Sequence, residues 1–277
     1  MLYLTGDTHG DNLARLSYGR WPVLRELGAD DVLVILGDTG LMWPGFEGEA
    51  SFTMRELACK PFTIVFLLGN HDNYDWAETL PEVDVLGGRM RQVVIDGVTY
   101  PNRYVVDSWT VADLGGLHCL LCAHAESHDI DHLYDEDDKE GILAAKRRHE
   151  WFRVAHKSWW PQEALDVSAF DAYMEGHSDE HFDAVLTHDA PSWFTTVASP
   201  NAGSDTPLRP TEGQLCLDRW RERLDFDVWA HGHFHYQLCH YEHPEQRGKR
   251  LFCLCEPTVS WEDLRSHEMG DRWLLAK

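Results

Sequence analysis

Basic residues are the scarce class in this chain: 24 lysines and arginines stand against 47 aspartates and glutamates, a formal net charge of −23. A field of that sign repels a long polyanion, which makes extended nucleic acid a poor partner. Long apolar runs are missing too. No stretch approaches the roughly 20 apolar residues that span a bilayer, and the opening MLYLTGDTHG sets no basic region ahead of an apolar one. No membrane segment and a cytoplasmic setting are the expectation. Cysteines are few and odd in number, seven in 277 residues. They fit no disulfide framework, and a reducing compartment is the simpler reading. Cys119 and Cys122 lie in LHCLLCA, Cys253 and Cys255 in LFCLCE, and such apolar settings suit buried thiols rather than a zinc knuckle. No Pro/Gly/Ser-rich linker and no internal repeat divides the chain, so a single domain over residues 1–277 is expected.

What is present is a set of five apolar runs that look like buried strands: LYLT at 2–5, VLVIL at 32–36, FTIVFLL at 62–68, AVLT at 184–187 and FDVWA at 226–230. Their continuations carry the chemistry, since GDTHG, GDTG, GNHD, HDAP and HGHFH set Asp, Asn and His just past the strand ends. In layered α/β folds ligand sites form at that edge. Helices are expected near 12–27, 47–59, 141–157 and 212–223, and the interval 83–122 reads as shorter strands separated by GG and DG turns. SPNAGSDTPLRP at 199–210 reads as a surface loop.

Asp7 and His9 are two apart, and on extended backbone both would face one cation. Asp38 ends the second run, where a carboxylate can give an oxygen to each of two cations. Asn70 offers a neutral carbonyl oxygen, His71 and Asp72 beside it a titratable ring and a carboxylate, and His188 a further nitrogen. In HGHFH, extended backbone would turn His231, His233 and His235 the same way, and spacing does not choose among them. Each residue alone is ordinary capping or turn chemistry. Five such strand ends in one chain are not.

In this order, GDTHG, GDTG, GNHD, THDAP and GHFH resemble the motif series of the calcineurin-like metallophosphoesterases, from residue 6 to residue 235. The resemblance implies a layered α/β/β/α sandwich of mixed β-sheets flanked by helices. It also implies two divalent metal ions, manganese first, with iron, zinc or magnesium as alternatives. Carried over, Asp7, His9, Asp38 and His235 would hold one ion, and Asp38 as the bridge, Asn70, His188 and His233 the other. Four protein positions per ion leave room for a bridging hydroxide and substrate oxygens. His231 then falls outside the ligand set, either around it or facing substrate, or as a plain structural histidine. The implied reaction is hydrolysis of a phosphate ester, with His71 as the acid that protonates the leaving oxygen. A phosphomonoester of a small molecule or a phosphopeptide comes first, a small nucleotide or other diester second, and a metal-stabilised module without catalysis is the reading from another class.

Departures from the family matter. The Ser/Thr phosphatase branch carries GDxxDRG, where this chain has GDTGLMW. Leu41 therefore stands in place of the aspartate that partners the catalytic histidine, and the neighbouring phosphate-gripping arginine is missing. Asp72 is the candidate to orient His71. LGGLHCLLCAHAESHD at 114–129 and SWWPQE at 158–163 resemble a bacterial and phage subgroup. There His124, Ser127, His128 and Asp129 would approach the metals, and Trp159 or Trp160 would wall the pocket or, as the stronger reading, pack in the core. The acidic loop DHLYDEDDKE and the basic AAKRRHEWFRVAHK after it read as an elaboration, spanning about residues 124–160, that sets specificity.

Overall fold

A computed structural model describes residues 1–128, 130–194, 209–235, 238–241, 249–255 and 258–266. Strand β1 (Leu2–Thr5), helix α1 (Asn12–Arg15), β2 (Val32–Leu36), α2 (Glu47–Leu57), β3 (Thr63–Leu67) and α3 (Tyr74–Glu78) open the chain in alternation. The three strands are parallel and buried at every position, as their unbroken apolar runs require of strands covered on both faces. The interval 83–122 holds β4 (Glu82–Val85), β5 (Gly88–Ile95), β6 (Val98–Val106), β7 (Trp109–Leu114) and β8 (Leu117–Cys122). Asp96 and Gly97, at φ 52 and 75, make the two-residue turn whose twist suits the β5–β6 hairpin. Next come β9 (His132–Tyr134), α4 (Lys139–Arg148), β10 (Phe152–Val154), α5 (Val167–Glu175), β11 (His181–Thr187), α6 (Glu212–Arg223) and β12 (Asp225–His231). The described part ends with β13 (Leu238–Tyr241), β14 (Arg250–Leu254), β15 (Val259–Ser260) and α7 (Trp261–Ser266).

Two mixed sheets result, ordered β15-β1-β2-β3-β6-β5-β4 and β13-β14-β12-β11-β8-β7, while β9 and β10 pair with each other. Strand alternation builds the layers. Ala184, Leu186, Val228, Ala230, Phe252 and Leu254 join the core shared with the first sheet. Their neighbours Val185, Trp229, Leu251 and Cys253 point the other way, onto Phe170 and Met174 of α5 and Cys216 and Trp220 of α6. Ala50, Met54 and Leu57 of α2 pack into the first core, which completes an α/β/β/α sandwich. Cys119, Cys122, Cys216, Cys253 and Cys255 are buried, and Cys59 is exposed. Among the described residues no helix is long and apolar enough to cross a membrane.

Two helices are shorter than periodicity predicts. Over 12–27 the α-helix stops at Arg15 and a separate 3-10 turn begins at Pro22, where proline's missing N–H and its restriction of Trp21 bar one continuous helix. Over 141–157 the helix ends at Arg148, where His149 turns left-handed at φ 56 and the chain enters β10. The predicted loop at 199–210 lies outside the described residues as far as position 208.

Candidate metal centre

The carboxyl ends of β1, β2, β3, β11 and β12 converge between the sheets. Gly232 allows the approach: a Cβ there would lie 2.6 Å from the Leu36 carbonyl and 2.8 Å from Asp7 Oδ2. The strands stop because the chemistry-bearing residues leave extended backbone. Asp7, His9, Asp38, His233 and His235 all have φ between 39 and 67, a region that costs a non-glycine residue roughly 1 kcal/mol or more. Hydrogen bonds hold them there, with His9 N–H donating to the Asp38 carbonyl at 2.7 Å and His233 N–H to Asp7 Oδ1 at 2.9 Å. The expectation that Asp7 and His9 converge through extended backbone is thus corrected, as is the shared face of the three histidines in HGHFH. Left-handed turns bring the rings together.

Two donor sets form, one of Asp7, His9, Asp38 and His235, the other of Asp38, His188 and His233, each with ligand atoms within 4.8 Å of one another. Asp38 belongs to both and divides its oxygens between them. Oδ1 is 3.1 Å from His188 Nε2, and Oδ2 is 3.7 Å from His9 Nε2. Asn70 Oδ1 lies 3.3 Å from the same His188 nitrogen, beside the second set. His9 and His235 bring their Nε2 atoms to 2.9 Å. At that distance one ring can donate Nε2–H to the other, and with both Nε2 atoms deprotonated the pair offers two nitrogen ligands to a cation.

The donor chemistry fits divalent cations. Asp7 Oδ2 is buried and has no hydrogen-bond partner, a costly state for a carboxylate oxygen unless an ion takes its lone pairs. Burial raises the Asp7 pKa, and the Asp38 charge adds to that. At His188 burial works against a proton, but the Asp38 carboxylate outweighs it and raises the ring's pKa. A proton on His188 is the positive charge that these side chains can supply by themselves. The His188 tautomer is fixed from behind, because Nδ1 meets the Leu36 carbonyl at 2.7 Å, which leaves Nε2 facing Asp38.

A family model described as calcineurin-like phosphoesterase matches residues 2–237. The chain belongs to that family. The family is described as one of phosphoesterases. The fold of the chain is similar to that of TT1561 from Thermus thermophilus, at a TM-score of 0.50 and 12% identity over 97% of both chains. A protein of Solidesulfovibrio magneticus named arginine–tRNA ligase is 26% identical over 166 residues, 53% of this chain. The chain spans 29% of that relative's length.

Around the donors lie residues that the sequence marked and others, Arg153 and Glu163, that it did not. Asp72 does not orient His71. Its oxygens accept from Thr39 N–H, Thr39 Oγ1, Gly40 N–H and Gly69 N–H at 2.8–3.0 Å, so it pins the loops after β2 and β3 to each other. The His71 ring meets Arg153 of β10 instead, with guanidinium nitrogens 2.9 Å from Nε2 and 3.2 Å from Nδ1. A neutral imidazole has one acceptor nitrogen, so one of these contacts is the hydrogen bond and the other is proximity. His71 N–H donates to Asp38 Oδ1 at 2.9 Å. Arg153 went unmarked because nothing local distinguishes it from the other cations of AAKRRHEWFRVAHK.

Ser127 accepts from Asn70 Nδ2 at 3.1 Å and donates its N–H to Glu163 at 2.8 Å, so Glu163 steadies the amide through one intermediary. Burial pushes the Glu163 pKa up to about 8. His128 lies 5.6 Å ring to ring from His233 and contacts Gln214, which also donates to Asp189 at 2.8 Å. His124 belongs elsewhere: its Nδ1 meets the Gln162 carbonyl at 2.8 Å and its ring stacks on Tyr74. Asp129 lies outside the described residues. His231 is fully buried against Phe194, outside both donor sets, and burial lowers its pKa to about 3. Trp160 is a core residue, as favoured, donating to Asp75 at 3.1 Å and meeting Trp43 edge-on.

Proposed function

We propose that this phosphoesterase hydrolyses phosphomonoesters, of small molecules or short phosphopeptides, with a manganese pair. Asp7, His9, Asp38 and His235 would hold one cation, and Asp38, Asn70, His188 and His233 the other. Two such ions would supply charge to the phosphoryl oxygens and make water more acidic. The observation that carries the monoester reading is Arg153, whose guanidinium sits 2.9 Å from the His71 ring. A monoester dianion has one more charged oxygen than a diester, and a third cation beside the metals would answer it. His71 gives its proton to the leaving oxygen, from a ring whose backbone is tied to Asp38.

p-Nitrophenyl phosphate and its bis ester, offered to manganese-loaded protein, separate the two ester classes. The expected result is a kcat/KM at least about tenfold higher for the monoester, with Asp38→Ala losing metal and His71→Ala losing about 100-fold or more in kcat while retaining it. A preference for the bis ester would establish the diesterase reading instead.

A further inference from the structure

Next to the donor sets is a cavity of about 380 Å³ to which both His9 and His71 contribute. Its remaining side chains are apolar Leu41, Trp43, Phe46 and Ala50 and polar Asn12, Glu49 and Thr53. That volume falls in the range of small-molecule sites. Trp43 lies nearly parallel to the His71 ring, at 24° and 6.4 Å between centroids, and is backed edge-on by buried Trp160 at 5.5 Å. An indole braced in this way presents a face that needs little ordering to receive a flat group. Leu41 contributes to the same apolar wall.

We propose that this cavity receives the leaving group, and that the group is a planar, uncharged aryl or heteroaryl alcohol seated against Trp43. The inference rests on the monoester reading and narrows it. His71 lines the cavity and is the proton donor to the leaving oxygen, so whatever departs does so into this space. No lysine or arginine lines it, and Glu49 is its one carboxylate. A second phosphate or a carboxylate on the leaving side would meet no counter-charge there and would add to the repulsion of a strongly acidic protein.

Phosphonates test this without turnover, because their P–C bond survives. Calorimetric titration of manganese-loaded full-length protein with benzylphosphonate, ethylphosphonate and 4-carboxybenzylphosphonate reads the pocket, and inorganic phosphate reads the phosphoryl site. Benzylphosphonate should bind about tenfold more tightly than ethylphosphonate, and the carboxylated ring less tightly than the plain one. Trp43→Ala should reduce the benzyl-to-ethyl ratio to about twofold, while Trp43→Phe keeps most of it. If phosphate binds but wild-type protein prefers neither phosphonate, or if Trp43→Ala leaves the ratio intact, the pocket assignment falls and the monoester reading stands. If neither phosphate nor any phosphonate binds, the monoester reading falls and takes the pocket assignment with it.

Discussion

Gly69→Ala offers a test of the centre that replaces no ligand. The new methyl would lie 2.4 Å from Asp38 Oδ1 and 2.4 Å from His188 Nε2, about an ångström inside ordinary contact. Neither neighbour has room to retreat, since Asp38 and His188 are 1% and 0% exposed and His188 is tied to the Leu36 carbonyl. Overpacking of this kind costs about 1–3 kcal/mol, or roughly 2–5 °C in melting temperature for a chain of this size. The metal centre should suffer more, because the methyl occupies space between the two atoms that would share an ion. Ion content after dialysis against manganese should drop from two towards one per chain, and metal affinity by at least about 100-fold. Gly48→Ala is the control: nothing lies within 4 Å of the added Cβ, and in the helix α2 alanine should stabilise by up to about 1 kcal/mol. Retention of both ions at wild-type affinity by Gly69→Ala would refute the convergence of Asp38 and His188 on one cation.

Further outcomes follow from the surroundings. Arg153→Ala should lower kcat/KM for p-nitrophenyl phosphate by about 10- to 100-fold without changing ion content, and Arg153→Lys should recover part of the loss; equal activity in all three proteins would remove Arg153 from the reaction. Glu163 keeps its proton in the folded chain to about pH 8 but loses it near 4.5 when unfolded, so the native state becomes progressively less stable as pH rises between those values. Glu163→Gln should therefore melt higher than wild type at pH 9, by an amount equivalent to about 3–5 kcal/mol at most, with little difference at pH 4; melting curves that stay parallel across this range would contradict the burial argument. His231→Ala should cost about 2–4 kcal/mol of stability through the cavity beside Phe194 and still bind two ions, whereas His235→Ala should lose one. Loss of an ion from the His231 variant would return that ring to the ligand set.

Much of this molecule is legible along the chain. VLVIL and its four companion runs are apolar on both faces, which only strands buried between layers tolerate. The polar residues that follow them mark the edge where the sheets open. The order of the motifs was enough to identify the seven candidate ligands, and the structure brings all seven to one place. What the sequence could not settle was direction. Asp7, His9, His233 and His235 sit on left-handed backbone, and extended alternation, the one local rule available, points their side chains wrongly.

The residues missed are those joined to the site across long separations. Arg153 reaches His71 over 82 positions, and Glu163 reaches over 36 to hold Ser127, a marked residue that in turn meets Asn70; neither Arg153 nor Glu163 stands out until the chain folds. Asp72 errs in the other direction, for adjacency to His71 suggested a partnership that four loop-anchoring contacts preclude. By itself, then, the sequence determined the layers, the strand ends and the kinds of donor, because burial and coordination chemistry depend on residue type and period. Tertiary structure alone decided which oxygen of Asp38 meets which imidazole, which cation attends His71, and whether His231, already outside the ligand set, faces substrate or is packing. Those are matters of ångströms between distant segments, and no local pattern encodes them.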